Sequence, residues 1–400
     1  MKVPPRPVVV THALRTPIGR FLGAFAELSA ADLGVSVVQD VLRRSGIDPA
    51  RVDELVFGNA RQAGGGPNVA RQVSVRAGIP DTVPAYTVNM ACGSGLKSLQ
   101  LAAEGIRSGR CDVIVAGGTE SMSGLPFFLP KMRTGYRLGH APVVDAMYKD
   151  GFMCPLANMV MGETAEKLAR DLSISRKQQD EFALASQEKA RAAIEAGRFA
   201  DEISPVKVPG KKGETVVEKD EHPRPETTLA SLAKLPPVFD AKAGTVSAGN
   251  SSGITDGAAA LLVMGADVAE ELGLEPLAFV GASTQAGVDP RIMGIGPVPA
   301  IRKLEDATGV SVRDYDLIEL NEAFAAQVIA CDRELDFPPD RLNVNGGAIA
   351  LGHPIGATGA RIVATLLHEL KRRKGERALA TLCISGGMGL ATEFRRAGNS

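Results

Sequence analysis

Residues Val88–Arg110 read VNMACGSGLKSLQLAAEGIRSGR. An apolar strand end runs through a lone Cys92 and two glycines, Gly93 and Gly95, into a helix. Leu96, Leu99, Ala103 and Ile106 fall on one face of that helix, the spacing of an element packed on one side. Strand, glycine turn and helix is the unit of α/β architecture, and the flanks repeat it. PVVVTHALRT reads as a strand, AADLGVSVVQDVLRRSG as a helix stopped by Gly46, and VDELVFGNA as a strand. NVARQVSVRAG reads as a helix closed by Gly78, and CDVIVAGGTESMS as a buried strand. The alternation predicts an α/β fold whose parallel sheet is covered on both faces.

The pattern changes between Gly124 and Thr245. The first part is irregular and punctuated by Pro and Gly. A helix follows, SRKQQDEFALASQEKARAAIEAG, capped by Ser175 and ended by Gly197. VKVPGKKGETVVEKDEHPRPETT then reads as a polar loop. So much irregular chain between regular units points to a functional insertion. Beyond it the first half echoes. VDELVFGNA (52–60) resembles YDLIELNEA (315–323), CGSGLKSLQLAAEGI (92–106) resembles HPIGATGARIVATLL (353–367), and DVIVAGGTE (112–120) resembles ALATLCISGG (378–387). The same order in both copies predicts a duplicated half-domain. The expected boundaries are a first half over 1–120 continued at 245–270, an insertion over 121–244, and a second half over 271–400.

The bulk numbers bound the function. A chain of 400 residues is long enough for two or three packed units. Net charge is −1, with 23% charged and 44% hydrophobic residues. That balance offers no electrostatic case for nucleic acid or a membrane surface. Trp is absent, which argues against base-stacking platforms. The five cysteines are scattered with no C-x-x-C pair, so neither a disulfide framework nor a zinc site follows. Free thiols and an N-terminus whose apolar runs are broken by Pro and Arg make the cytoplasm the expectation.

Four fragments hold candidate chemistry. Cys92 is expected on the first turn of its helix, where unpaired N–H groups and the helix dipole favour thiolate. On this fragment alone a buried structural cysteine is an equally good reading. His353 lies in NVNGGAIALGHPIGATGARI, a loop stiffened by Pro354 and crowded by glycines, as backbone brought close to a ligand would be. By itself it also fits a surface-loop histidine. Cys383 ends an apolar strand in LCISGGMGLATEF, before a turn that can aim N–H groups at an anion. Asn321 and Glu322 in IELNEAFAAQ end another strand, where open α/β sheets keep ligand residues, although helix capping explains such a pair as well.

Taken together, NMACGSGLKS, SAGNSSGITDGAAA, NEAFAAQ, GGAIALGHPIGATGAR and CISGGMG resemble, in order and over nearly the whole chain, the signature blocks of the thiolase family. The resemblance implies duplicated βαβαβαββ halves in a five-layered α-β-α-β-α arrangement with an inserted loop domain. It implies a ping-pong acyl transfer, the reversible Claisen condensation of two acetyl-CoA to acetoacetyl-CoA. Cys92 would be the nucleophile, His353 its base, and Cys383 the acid and base at the substrate carbon. Asn321 would hold a water that, with His353, stabilises the enolate. The N–H groups of Cys92 and Ser385 would form a second oxyanion site. Ser385 stands where many relatives have glycine, so strain is expected if the position needs positive φ.

By the same resemblance, Arg224, Ser231 and Phe239 would hold the nucleotide end of coenzyme A. Ala248, Ser252 and Ile254 would contact its pantetheine. Met161 and Phe324 would also contact the coenzyme A thioester, Phe324 and Met293 resembling acyl-pocket residues, with Val160 where acetoacetyl-cleaving relatives often have histidine. No metal and no tightly bound cofactor are implied; coenzyme A and its thioesters are substrates. Residues 124–150 resemble a tetramerisation loop, so a homotetramer is expected, or a dimer if that loop packs otherwise. Three other readings stand beside this one. A broader degradative 3-ketoacyl-CoA thiolase shares every block. A ketosynthase would pair its cysteine with two histidines, where this chain has Asn321 and Cys383. A non-catalytic acyl-CoA-binding protein would not need both cysteines and His353 together.

Overall fold

A computed structural model describes residues 6–210 and 213–398. In chain order the main elements are β1 (Val8–Arg15), α1 (Ala30–Ser45), β2 (Glu54–Gly58), α2 (Val69–Arg76), β3 (Ala85–Val88), α3 (Ser94–Arg107) and β4 (Val113–Glu120). Then come α4 (Met161–Asp171), α5 (Arg176–Glu195), β5 (Val206–Gly210), β6 (Gly213–Val217) and β7 (Thr255–Gly265). The last group is β8 (Ala278–Gly287), α6 (Pro297–Thr308), β9 (Leu317–Leu320), α7 (Ala325–Leu335), α8 (Ile355–Arg373), β10 (Arg377–Ile384) and β11 (Met388–Arg396). Local chemistry sets the ends. Ser29 and Asp32 close a capping box at the start of α1, and Gly46 ends it at φ 66°. Ser175 caps α5 through the amide of Gln178.

The duplication is visible in the sheet. Hydrogen-bonded neighbours run β3-β2-β4-β7-β1 in the first half and β9-β10-β11-β8 in the second. An isolated parallel bridge, Ile318 to Leu342, occupies the place beside β9 that β3 has beside β2. The halves join where β1 and β8 pair antiparallel at Val9–Phe279 and Val10–Ala278. Among the described strands of this sheet, β3-β2-β4 and β9-β10 pair parallel and the other neighbours pair antiparallel. The parallel sheet expected from the alternation is therefore corrected to a mixed one. β10 and β11 are joined by a short turn with no helix between them, which requires antiparallel pairing there.

Alternation along the strands sets the layers. In β4, Val113 and Val115 pack toward α1, while Ile114 and Ala116 pack toward α3. In β10, Ala378, Ala380 and Leu382 join the α3 and α8 side, and Leu379 faces the cluster containing Ile301 and Leu304 of α6. So α3 and α8 form a central layer between the two half-sheets, with α1 and α2 outside one and α6 and α7 outside the other. The two central helices touch through glycine. A Cβ on Gly359 would lie 2.2 Å from the amide nitrogen of Leu96, and rigid backbone cannot give way. Gly359→Ala is expected to destabilise by at least about 3 kcal/mol, the upper end for overpacking. A fall in urea midpoint with unchanged slope measures it.

Between β4 and β7 the chain leaves the sheet. One correction falls here: the stretch read as a polar loop contains the hairpin β5–β6, paired from Val206–Val217 to Gly210–Gly213. Among the described residues no helix is long and apolar enough to cross a membrane.

Candidate active site

β3 ends at Val88, and the turn that follows is strained. Ala91 sits at φ 45°, where a side chain is disfavoured by about 1–2 kcal/mol. Neighbours hold it there. The Asn89 side-chain oxygen accepts from the Ala91 amide at 3.0 Å. The Ser94 hydroxyl accepts from the Met90 amide at 2.9 Å and donates to the Ala91 carbonyl at 2.7 Å. The strained turn delivers Cys92 just before α3, whose N-cap is Gly93. Cys92 thus precedes the helix rather than lying on its first turn.

Cys92 is 8% exposed. Burial pushes Cys92 above its ordinary pKa, against the opposing pull of the Arg61 charge and of the N–H groups of Ser385 and Cys92 itself. The expected net lowering is corrected: desolvation of the thiolate outweighs the helix end. Ser385 escapes the expected strain, because the positive φ falls on Gly386 and Gly387, at 90° and 86°.

His353 follows Gly352, whose φ of 101° turns the chain inward against Thr255. Its backbone amide donates to the Gly253 carbonyl at 3.2 Å. Its Nδ1 lies 2.6 Å from the Thr358 hydroxyl, which in turn reaches the Pro354 carbonyl at 2.9 Å. A carbonyl only accepts, so the single hydroxyl hydrogen goes to Pro354 and the oxygen accepts from Nδ1–H. Nε2 is left unprotonated and able to take a proton. Burial, reinforced by the charges of Arg361 and Arg61, lowers the His353 pKa to about 3. The ring is therefore neutral across the physiological range.

The buried Glu120 carboxylate ties these parts together. It accepts from the Asn59 side chain and the amides of Ala60, Arg61 and Gly356 at 2.7–3.2 Å. It thereby fixes the loop after β2 to the turn after His353. Cys383, at the end of β10, is fully buried beside Cys154, Met161, Met293 and Ala323, with Phe324 packed on the cluster. Burial, then the nearby Cys92 charge, pushes its thiol well above the ordinary range.

Asn321 is 1% exposed, and neither its amide nitrogen nor its oxygen finds a partner among the described residues. Such a group is costly unless a ligand or water completes it. Glu322 is spent on structure. Its carboxylate accepts from Ser186, Asn343 and the Ile349 amide at 2.6–3.2 Å, holding the 343–349 loop to α5.

A cavity of about 340 Å³ has Arg224, Ser231 and Ala248 in its wall, with His222 and Leu235. Phe239 lies outside that wall, pressed on Gly162 of α4. Ser252 donates its amide to the Ala323 carbonyl, and Ser251 bridges Phe324, so this segment leads from the cavity to Cys383's surroundings. Ile254 packs on the core cluster that contains Cys92. Sequence reasoning missed Glu120, Thr358 and Arg61. Thr358, five residues after His353 in the helical GATGAR run, was the one with a readable signal.

A thiol on a strained turn, a neutral imidazole, a second buried thiol and an unpartnered amide are the kinds of group that move acyl groups through sulfur. The comparisons with known proteins agree. Residues 8–267 match the family model "Thiolase, N-terminal domain" and residues 274–396 match "Thiolase, C-terminal domain". An acetyl-CoA acetyltransferase of Pseudomonas aeruginosa is 52% identical over 390 residues, 97% of this chain and 99% of that one. The crystal structure of a Bacillus anthracis acetyl-CoA acetyltransferase superposes at TM-score 0.96, with 45% identity, covering 98% of this chain and 99% of that one. Human mitochondrial 3-ketoacyl-CoA thiolase in complex with CoA superposes at 0.94, with 41% identity over 98% of both chains. The chain belongs to the thiolase family.

Proposed function

We propose that this thiolase condenses two acetyl-CoA to acetoacetyl-CoA and CoA, and runs the reverse thiolysis, through an acetyl group held on Cys92. The observation that supports it most is the tautomer of His353. With Nδ1–H given to Thr358, the neutral Nε2 is free to draw the proton from a thiol that burial keeps protonated. Cys383 moves the proton at the methyl carbon of the second acetyl-CoA. Asn321, through a bound water, and His353 steady the enolate oxygen, and the amides of Cys92 and Ser385 steady the tetrahedral oxyanion.

Coenzyme A lies along the cavity of Arg224, Ser231 and Ala248, with Phe239, Ser252 and Ile254 on its path, and binding of this remote part positions the thioester. Phe127, Leu138 and Val143 expose apolar surface that a homotetramer would cover. The unpaired thiols suit a reducing cytoplasm. Broader 3-ketoacyl-CoA cleavage is the second reading, favoured by Val160, which puts an apolar side chain where relatives specialised for acetoacetyl-CoA often have histidine.

Incubation with labelled acetyl-CoA is expected to leave acid-stable label on the peptide containing Cys92, and none in Cys92→Ala. Absence of label from a folded protein with Cys92 accessible to alkylation would reject the enzyme reading in favour of a non-catalytic acyl-CoA binder.

A further inference from the structure

The short helix Ala348–Leu351 runs into the turn that carries His353, and its end is held from outside. Four residues on from Ala350 stands Pro354, which has no N–H to give back to the helix. The amide of His353 is spent on the Gly253 carbonyl at 3.2 Å. The Ala350 carbonyl, in a fully buried residue, takes its hydrogen bond from a distant side chain: Nδ1 of His222 lies 2.9 Å away. A carbonyl only accepts, so Nδ1 carries the hydrogen. Burial holds this imidazole below the ordinary histidine pKa, so Nε2 is bare. That edge of the ring meets Gly253, where a Cβ would lie 1.9 Å from Nε2. One ring thus supplies the donor for Ala350 and packs on the residue that accepts from His353.

The segment that carries His222, between β6 and β7, is itself anchored. Asp220 accepts from the Arg15 guanidinium at 2.7 and 3.0 Å and from the Ile18 amide at 2.8 Å, and the Glu221 amide donates to the Ile18 carbonyl at 3.0 Å. His222 also belongs to the wall of the 340 Å³ cavity, with Arg224 and Ser231. We propose that His222 is a positioning residue for the acyl-transfer base: its Nδ1–H completes the Ala350 carbonyl and its ring braces Gly253, so the wall of the coenzyme cavity also sets the place of the His353 imidazole. This rests on the thiolase reading above and deepens it. Without that N–H a sealed carbonyl is unpaired, and the loop recovers a partner only by moving. A displacement of about 1 Å in a catalytic group costs up to about 10²-fold in rate.

The test is single-turnover acetylation of Cys92 at saturating acetyl-CoA, per folded protein, beside calorimetric binding of CoA. His222→Phe keeps a ring on Gly253 and removes the donor; the rate is expected to fall by about tenfold or more, with CoA affinity unchanged. His222→Gln, whose amide sits one bond further out, is expected to lose rate in the same way and serves if the Phe variant does not fold. His222→Asn, whose Nδ2 is as many bonds from the backbone as Nδ1, is expected to recover most of the rate. In a His353→Ala background, adding His222→Phe should cost less than about twofold, because the base it places is gone. A full saturating rate in folded His222→Phe or His222→Gln overturns the proposal, including the case in which only CoA affinity falls and the ring is a coenzyme contact. An undiminished loss in the His353→Ala background also overturns it. Failure of the wild-type protein to acetylate Cys92 instead removes the underlying thiolase reading.

Discussion

Replacing His353 by alanine is expected to slow acylation of Cys92 by about 10²–10⁴-fold, the usual contribution of a positioned general base. The change in pH dependence is the sharper sign. In the intact protein the imidazole is held neutral down to about 3, so its base form is present at every pH used for assay. The thiol is held above its ordinary value, so it is protonated over the same range. The reactive pair is therefore thiol plus neutral imidazole from about pH 5 to 8, and the acylation rate should be nearly flat there, without a limb near the ordinary histidine value of about 6.5. Without the imidazole only spontaneous thiolate reacts, and its fraction rises tenfold per pH unit below the thiol pKa. His353→Ala should therefore show a slope near one on a logarithmic plot through pH 7–9. Single-turnover acetylation followed by released CoA measures both. A flat profile at wild-type rate in the variant would remove His353 from the step.

Much of this was legible in the sequence, for reasons that differ by residue. Gly46 and Ser175 mark helix ends because caps act locally, through one turn of backbone. The echo between residues 92–106 and 353–367 was readable because both copies must pass a glycine-rich turn into a helix that crosses its twin. What failed was what depends on surroundings. The β5–β6 hairpin packs on the core only through Val206, Val208 and Val217, and the rest of its length is exposed, so its alternation is too short to read. The sign of the Cys92 shift failed because a helix end can be read from sequence, whereas burial by residues such as Ile384 and Leu390, nearly three hundred positions away, cannot. Arg61 went unread for the same reason. A charged residue after a strand usually faces water; here Gly151, ninety positions later, covers it. Strain expected at Ser385 moved to the next two glycines, a shift of one residue that no spacing rule resolves.

Cys383→Ala is expected to separate the two halves of the cycle. The Cys92 turn, His353 and the N–H groups of Cys92 and Ser385 do not depend on the Cys383 sulfur for any hydrogen bond among the described residues. Transfer of labelled acetyl from acetyl-CoA to Cys92 should therefore persist. Carbon–carbon bond formation should fall by about 10³-fold or more, because the carbon acid loses its positioned base. The raised pKa of this thiol makes physical sense of the role. Burial and the neighbouring sulfur make its thiolate a high-energy state, and a thiolate that regains a proton so favourably is a stronger base toward a weak carbon acid. In the reverse direction the same thiol is fully protonated and ready to donate to the departing enolate. The measurement is a pair: acid-stable label on Cys92, and exchange of deuterium from solvent into the methyl group of acetyl-CoA. Label without exchange is the expected signature. Exchange at the wild-type rate in Cys383→Ala would move the carbon-acid step to another group.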